Sequence, residues 1–224
     1  SYEKAAVHKK AGAKRVVITA PAEDEDGPDG RTVLMGINEE DLKTCTISSN
    51  GSCTTNSAAS IMQIFSDKLG IKKAFLNTAH AYTASQASVK NPSIIPSATG
   101  AEIAITRVIP ELKDKFDGMA MRVPVQDGSI SAITFVSARP TTTEEINSIL
   151  KTAEAEPRWQ GIFKTISGSV VSSDIVGDPY PAIADLSLTK VVDGDLCCVY
   201  SWYDNEFGYA NSLVVHVLKV AGNL

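Results

Sequence analysis

The chain has 224 residues, 43% of them hydrophobic, which is enough to bury a core without disulfide staples or a structural metal. Its formal net charge is -5 and its lysines are scattered, so we expect no nucleic-acid partner. No stretch approaches the roughly 20 apolar residues of a membrane-spanning helix, and the first residues are charged rather than apolar. We therefore expect a cytoplasmic protein with no membrane partner.

The N-terminal quarter reads as part of an α/β unit. Residues Tyr2–Ala13 predict a helix that ends at Gly12, and Arg15–Ala20 predicts a buried strand. A polar loop follows, and Val33–Ile37 and Cys45–Ser49 predict two further short strands. The pattern is typical of the edge of a parallel-sheet domain.

The next segment predicts a long helix followed by a strand. Apolar residues from Thr54 onward recur with a 3.6-residue period and stop at Gly70, which suits the position after a helix C-terminus. This helix begins at Cys53. Lys73–Tyr82 then predicts a strand that delivers His80 near its end.

Two sequences resemble capping boxes, in which side chains bond the first backbone N–H groups of a helix. These are Thr99–Glu102, ahead of an apolar helical face that runs to Leu112, and Thr142–Glu145. Between these helices, Met119–Val125 and Ile130–Ala138 predict a pair of strands.

The last quarter predicts a hairpin and a helix. Asp193-Gly194 is a strong turn signal within Val191–Val199. Asn211–Val220 predicts a helix with Leu213, Val217 and Val220 on its apolar face. We expect an α+β fold with a large mixed or antiparallel sheet covered by helices, beside a remnant of a parallel, Rossmann-type domain.

The four cysteines form no C-x-x-C pair, so we expect free thiols and no metal site. Cys197 and Cys198 point to opposite faces of one strand and are interpreted as core residues. Cys53 differs because it begins a helix among small polar residues. Backbone N–H groups and the helix dipole favour a thiolate there, so the pattern predicts a lowered pKa and a nucleophile.

His80 is the candidate base because it ends a strand one structural unit after Cys53. His8 and His216 are interpreted as structural. Thr99-Gly100 is either a simple helix cap or an anion site. Arg122 interrupts an apolar strand, which predicts a phosphate or a buried carboxylate as its partner, and with Thr83 these residues would form a phosphate pocket near the thiol.

Six segments in this order resemble the phosphorylating glyceraldehyde-3-phosphate dehydrogenases. They are Ser49-Asn-Gly-Ser-Cys-Thr-Thr-Asn56, Thr78-Ala-His-Ala-Tyr-Thr83, Ile95-Pro-Ser-Ala-Thr-Gly100, Val108-Ile-Pro-Glu-Leu112, Gly118-Met-Ala-Met-Arg-Val-Pro124 and Ser201-Trp-Tyr-Asp-Asn-Glu-Phe-Gly-Tyr209. The resemblance implies a glycolytic, NAD-dependent oxidation of glyceraldehyde 3-phosphate, with inorganic phosphate as second substrate, in a cytoplasmic homotetramer. It spans the part of such an enzyme that follows its cofactor-binding half.

The resemblance also implies a role for each matching residue. Cys53 would attack the aldehyde, and His80 would activate the thiol and take the proton. Thr83 and Arg122 would hold the substrate phosphate. The remaining matches are Ser52, Thr54, Thr99 and Gly100, at positions used for the attacking phosphate, and Asn205, which would fix the nicotinamide amide.

The chain departs from the family pattern in two ways that matter. It contains no G-x-G-x-x-G, the turn that cradles the dinucleotide pyrophosphate. Only Ala84–Ser93 stands where the family has a longer basic loop that supplies a further arginine, so either the loop is deleted or residues are left out around Asn91. We expect residues 1–51 to be a remnant of the NAD-binding domain, 52–207 to be the catalytic and oligomerisation domain, and 208–224 to be a helix that packs on the former. On this interpretation the isolated fragment is impaired.

Other functions fit the same residues. A related enzyme with the same site residues oxidises erythrose 4-phosphate. A cofactor-free Cys-His hydrolase acting on thioesters would need only Cys53 and His80. A third hypothesis is an oligomerisation core without catalysis.

Overall fold

The structure, a computed structural model, describes residues 1–223. A small parallel sheet lies near the N-terminus, with strand order β1-β3-β2: β1 is Val16–Ile18, β2 is Gly30–Thr32 and β3 is Ile47–Ser49. Helix α1, Tyr2–Lys10, packs on this sheet through buried Tyr2. Strand β1 is half-buried rather than fully buried, because this three-stranded sheet covers little area.

The predicted strand at Val33–Ile37 is wrong. The second strand ends at Thr32, and the buried apolar residues that follow turn instead of extending. The Asn38 side chain accepts a hydrogen bond from the Leu34 N–H at 2.9 Å, and the Ile37 N–H bonds the Leu34 carbonyl. A side-chain amide thus replaces the partner that a sheet would supply.

A seven-stranded mixed sheet forms the centre of the protein, in the order β5-β6-β4-β7-β10-β9-β8. Its strands are β4 Ile71–Ala81, β5 Ile95–Ser97, β6 Phe116–Val123, β7 Ser129–Ser137, β8 Phe163–Ile166, β9 Ala182–Val192 and β10 Leu196–Tyr203. The pairs β4–β6 and β8–β9 are parallel, and the other neighbours are antiparallel. The predicted α+β fold with a large mixed sheet is confirmed.

The predicted pairing of Met119–Val125 with Ile130–Ala138 is wrong. The two strands form as β6 and β7, but β4 lies between them and pairs with both. A turn of a few residues favours a hairpin. Here the longer β4 supplies partners to both strands, which places the strand carrying His80 in the middle of the sheet.

Three helices cover one face of this sheet and share its main hydrophobic cluster: α2 Cys53–Lys68, α3 Ala101–Val108 and α4 Thr143–Glu154. Phe65 of α2 packs on Phe135 of β7 with ring centroids 4.9 Å apart. Gly70 has a φ of 76°, as its predicted place after the helix requires. The other face leaves apolar Phe75 and Leu196 exposed.

The two predicted capping boxes differ in outcome. Thr142 caps α4, because its side chain accepts from the Glu145 N–H. Thr99 does not cap α3, whose N-cap is Gly100 with a φ of 65° and no side-chain bond. The helix also stops at Val108 instead of reaching Leu112. Pro110 disfavours helical backbone at the residue before it, and a 3₁₀ turn follows.

The C-terminal elements follow the prediction closely. Strands β9 and β10 form the hairpin, with Asp193 and Gly194 both at positive φ. A short α5 spans Ser172–Ile175 and α6 spans Phe207–Ala221. The buried face of α6 carries Ser212, His216 and Val220, whereas Val217, which the sequence places on the same apolar face as Val220, is 45% exposed. Within residues 1–223, no helix is long and apolar enough to span a membrane.

Candidate active site

Cys53 is the first residue of α2, and the loop before it is held by backbone and side-chain bonds. The Ser52 hydroxyl accepts from the Thr55 N–H at 3.1 Å, and the Asn56 amide donates to the Asn50 and Ser52 carbonyls. Gly51 takes a φ of 63°, and a Cβ there would lie 3.0 Å from Thr55. The thiol is therefore fixed where N–H groups of the first helical turn have no intrahelical partner.

The structure brings Cys53 and His80 together, with Sγ 3.3 Å from Nε2. His80 is buried one residue before the end of β4, and Cys53 is half-buried. This distance allows a proton to pass between the sulfur and the ring nitrogen, as a nucleophile–base pair requires.

The thiol pKa shifts opposite to the direction predicted from the sequence. Burial raises the pKa of Cys53 above its ordinary value, although the Thr54 N–H and hydroxyl and the Arg122 charge lower it. Burial also lowers the pKa of His80 to about 4, with the Ala81 carbonyl raising it and Arg122 lowering it further. Desolvation disfavours both charged forms, so this geometry favours a neutral thiol beside a neutral imidazole.

Arg122 contacts the other side of the His80 ring. Parallel pairing places Arg122 of β6 opposite His80 of β4, and Arg122 Nη1 lies 2.7 Å from His80 Nδ1. The Ala81 carbonyl oxygen is also 2.7 Å from Nδ1. Among residues 1–223, Arg122 thus contacts an imidazole rather than a buried carboxylate, which was one of its two predicted partners. Its Nε is buried and has no partner in that range.

A buried network of hydroxyl groups lies behind the thiol. The Tyr203 hydroxyl bonds Thr54 of α2 at 3.0 Å and Thr78 of β4 at 2.8 Å, and Ser131 donates to Thr78. Burial raises the pKa of Tyr203 to about 12. No role for Tyr203, Thr78 or Ser131 was predicted from the sequence. Hydroxyl side chains at inward-facing positions of otherwise apolar strands were the available signal.

Asn205, predicted to contact a nicotinamide amide, is buried just after β10. Its Oδ1 accepts from the Ser129 hydroxyl at 2.7 Å, and Ser129 Oγ also accepts from the Ala81 N–H. The Nδ2 atom is buried without a partner in the described part of the chain. Ser129 therefore fixes the orientation of the amide and leaves the two N–H donors of Nδ2 for a ligand.

The other predicted phosphate-binding residues are engaged locally. Thr83 bonds the side chains of Ser85 and Gln86 in the turn after β4. The Ser52 hydroxyl bonds Thr55. Thr99 and Gly100 precede α3, whose first N–H groups receive no side-chain cap. Arg122 is the member of the predicted pocket that contacts the Cys53–His80 pair directly, through His80.

The remaining predicted features are found at separate places. Cys197 is buried in the core and Cys198 is half-buried on the opposite face, so only the first is a full core residue. His8 is exposed. His216 is buried and forms hydrogen bonds with the side chains of Ser48 and Asn50. No group of three or more acidic, histidine or cysteine residues within positions 1–223 is arranged to hold a metal.

Comparison with known proteins gives one consistent family. Residues 52–205 match the model of "Glyceraldehyde 3-phosphate dehydrogenase, C-terminal domain". Glyceraldehyde-3-phosphate dehydrogenase of Mycobacterium avium is 43% identical over 234 residues, covering 99% of this chain and 67% of that protein. The enzyme of Clostridium pasteurianum is 44% identical over 230 residues, covering 95% of this chain and 66% of that protein. The chain thus spans about two thirds of the length of these relatives.

Proposed function

Because the chain belongs to the glyceraldehyde-3-phosphate dehydrogenase family of oxidoreductases, we propose that it performs the thiol chemistry of that reaction. The reaction is the NAD-dependent oxidation of glyceraldehyde 3-phosphate, with inorganic phosphate, to 1,3-bisphosphoglycerate. The observation that carries the proposal is the 3.3 Å distance from Cys53 Sγ to His80 Nε2 at the start of a helix.

The first half of the reaction uses His80 as base and then as acid. Nε2 takes the proton of the Cys53 thiol, and the sulfur forms a bond to the aldehyde carbon. N–H groups of the first turn of α2 donate to the oxygen as it becomes negative. Nε2 then returns the proton to that oxygen, and a hemithioacetal is held on Cys53.

In the second half, Nε2 takes the hydroxyl proton of the hemithioacetal as its carbon is oxidised. The chemistry that NAD supplies when bound is acceptance of the hydride from that carbon. Cys53 then holds the acyl group as a thioester. An oxygen of inorganic phosphate forms a bond to the acyl carbon, and the C–S bond breaks, which gives the acyl phosphate and a Cys53 thiolate. The thiolate takes back the proton held on Nε2 of His80.

One end of an NAD site fits these residues. The buried Nδ2 of Asn205 has no partner within residues 1–223, and a carboxamide oxygen is a suitable acceptor for it. The pyrophosphate end lacks a counterpart, since the 224 residues contain no G-x-G-x-x-G. We therefore propose that Asn205 orients the nicotinamide and that the 224-residue chain alone binds NAD weakly and is impaired.

Two phosphate sites complete the proposal. Arg122 and Thr83 would hold the substrate phosphate, and the buried Nε of Arg122 without a partner in residues 1–223 supports this role. Ser52, Thr54, Thr99 and Gly100 would hold the attacking phosphate, supported by the uncapped N–H groups at the start of α3. Thr83 and Ser52 would exchange their present intrachain bonds for bonds to phosphate.

We also propose the division into residues 1–51, 52–207 and 208–224, and a cytoplasmic homotetramer. The separate three-stranded parallel sheet supports the first boundary. The exposed Phe75 and Leu196 on the open face of the large sheet support association through that face.

Reverse acylation tests the proposal without NAD. On incubation with 1,3-bisphosphoglycerate, Cys53 should displace phosphate and become acylated, which peptide mass spectrometry detects. The Cys53→Ser variant is the matched control, and Cys45, Cys197 and Cys198 report background in each sample. An acyl group absent from Cys53, or spread evenly over the four cysteines, would contradict the proposed function.

A further inference from the structure

The buried face of α6 is polar where it meets the loop that leads to Cys53. His216 is 0% exposed, and its ring nitrogens Nε2 and Nδ1 lie 2.7 Å from Ser48 Oγ and 3.1 Å from Asn50 Oδ1. Ser212, one turn earlier on the same helix, lies 3.0 Å from Asn50 Nδ2. The buried side chain of Asn50 is thus held by two residues of α6.

The ring of His216 is neutral at neutral pH. Burial lowers its pKa to about 4, against the opposing effect of the Val33 carbonyl. A neutral imidazole has one N–H donor and one acceptor nitrogen. Of the two side chains bonded to the ring, Ser48 and Asn50, one therefore accepts from it and the other donates to it.

The hydrogen bonds around Asn50 determine which ring nitrogen carries the proton. Ser212 donates its hydroxyl proton to the Tyr209 carbonyl at 2.9 Å, so it can only accept from Asn50. The amide nitrogen of Asn50 therefore faces Ser212, and the amide oxygen faces His216. Because that oxygen accepts only, the His216 proton lies on Nδ1, and the lone pair on Nε2 accepts from Ser48.

The backbone of Asn50 connects this network to the nucleophile. Its carbonyl accepts from Asn56 Nδ2 at 2.8 Å, and the same nitrogen donates to the Ser52 carbonyl at 2.9 Å. Asn56 belongs to the first turn of α2. The loop is therefore held by α6 through the side chain of Asn50 and by α2 through its backbone. A shift of Asn50 would move the Cys53 sulfur relative to Nε2 of His80, which is 3.3 Å away.

His216 also fixes the direction in which the chain leaves β3. Ser48 lies within β3 and Asn50 is the first residue after it, so the ring bonds the chain on both sides of the strand end. Tyr209, on the same helix, donates to the carbonyl of Gly51, the next residue of the loop, at 3.1 Å. Side chains of α6 thus set the route from β3 to the nucleophile.

We propose that His216 is a positioning residue for the reaction at Cys53, acting through its Nδ1–H bond to Asn50. The inference rests on the proposed function, which makes Cys53 the nucleophile. His216 touches neither the sulfur nor a substrate. It holds the loop that sets the distance between Cys53 Sγ and His80 Nε2, and the Ser48 bond keeps the ring in the orientation that this requires.

Two substitutions of His216 separate positioning from stability. In His216→Asn the amide nitrogen takes the place of Nδ1 and still donates to Asn50. In His216→Gln the amide group takes the place of Nε2 and keeps only the bond with Ser48. Each variant loses one of the two ring bonds, so urea unfolding should show similar losses of stability for both.

The rate of reverse acylation of Cys53 by 1,3-bisphosphoglycerate, followed by peptide mass spectrometry, measures the positioning. His216→Gln should slow this acylation by about 10²-fold, the cost of a misplacement of about 1 Å. His216→Asn should stay close to the rate of the unmodified chain. Ser48→Ala is the matched control, because it removes the bond at Nε2, keeps the bond at Nδ1 and should also acylate at the unmodified rate.

A merely structural role would not distinguish the two ring nitrogens. Equal acylation rates in His216→Gln and His216→Asn, whether fast or slow, would therefore overturn the proposal. A slow rate in Ser48→Ala together with a normal rate in His216→Gln would also overturn it. Buried Cys45 and Cys197 should resist iodoacetamide in every variant, which shows that a slow rate at Cys53 does not come from unfolding.

Nitrogen NMR of ¹⁵N-histidine-labelled protein tests the same bond without a variant. At pH 7 the His216 ring should carry its proton on Nδ1, and a proton on Nε2 would overturn the proposal. The two hypotheses fail separately. Absence of acylation in the unmodified chain would remove the proposed function, whereas acylation that is equal in both His216 variants would remove the positioning role alone.

Discussion

The Tyr203 hydroxyl lies 3.0 Å from the Thr54 hydroxyl and thereby joins β10 to the first turn of α2, next to the nucleophile. The same oxygen bonds Thr78, two residues before His80 on β4. One buried phenol thus connects the element that carries the thiol with the strand that carries the base. We therefore expect the separation of Cys53 and His80 to depend on this connection.

Tyr203→Phe should lower the stability of the protein and slow the alkylation of Cys53. The change leaves Thr54 and Thr78 short of a partner in the interior, at a cost of about 1–3 kcal/mol. Urea unfolding measures the stability, and Cys53 alkylation in phosphate measures the site. Tyr200→Phe, on the same strand but only half-buried, should leave both unchanged. Equal changes in stability and in Cys53 alkylation for the two variants would show that Tyr203 does not hold the Cys53 and His80 elements together.

The pH dependence of Cys53 alkylation follows from its raised pKa. In chloride buffer the rate should rise only above the roughly 8.5 of an ordinary thiol, because burial disfavours the thiolate. The iodoacetamide rate measured from pH 6 to 10 gives the inflection. An inflection near pH 6 in chloride would show that burial does not control this thiol.

His80→Asn should slow alkylation of Cys53 in phosphate, because asparagine cannot accept the thiol proton. The rate should fall by about 10²–10⁴-fold if His80 is the general base. His8→Asn, on an exposed helix position, is the control and should behave like the unmodified chain. Unchanged labelling of the His80 variant would exclude this residue as the base.

Acid should destabilise the protein through His216 before the carboxylates titrate. Burial lowers the pKa of His216 to about 4 in the folded state, against about 6.5 when unfolded. Protonation of His216 therefore favours unfolding. The contribution of the neutral His216 to the free energy of unfolding is fully present above pH 6.5 and is lost as the pH falls toward 4. Between pH 7.5 and 5.5 the loss is about 1 kcal/mol for this residue.

Urea unfolding at these two pH values measures that loss. The His216→Gln variant should lose about 1 kcal/mol less on acidification than the unmodified chain, whatever its stability at pH 7.5. His8→Gln should show the same acid loss as the unmodified chain. A parallel decline of all three proteins would show that His216 does not carry the effect.

NAD binding by the 224-residue chain should be weak, because its sequence lacks the Gly-rich turn that holds a pyrophosphate. Isothermal titration calorimetry should show a Kd well above the micromolar range. Asn205→Ala should weaken the remaining binding, whereas Asn211→Ala, on α6, should not. Micromolar binding by this chain would show that other residues replace the missing cradle.

Local sequence signals predicted the parts of the site that depend on local structure. A 3.6-residue period, a terminal glycine and small polar residues placed Cys53 at the first position of α2. The strand predicted at Lys73–Tyr82 placed His80 near the end of β4. These features are governed by contacts within a few residues, so their prediction needed no knowledge of the fold.

The errors at the candidate site concern contacts between distant segments. Insertion of β4 between β6 and β7 cannot be read from the short turn that joins those two strands. The Arg122–His80 bond is a consequence of that insertion, and no periodicity signals it. The thiol pKa was predicted from the helix N-terminus alone, whereas the tertiary structure buries the sulfur, and burial outweighs the hydrogen bonds from Thr54 and the charge of Arg122.

Pairing of β4 with β6 also limits how this part of the gene can change in length. His80 and Arg122 face each other across one hydrogen-bonded register, so an inserted or deleted codon within either strand would turn one of the two side chains to the opposite face. The Mycobacterium avium alignment covers 234 positions against 224 residues here, so that relative has at least ten residues that this chain lacks. Evolution of length is expected to be confined to loops such as Ala84–Ser93, while both strands stay at constant length.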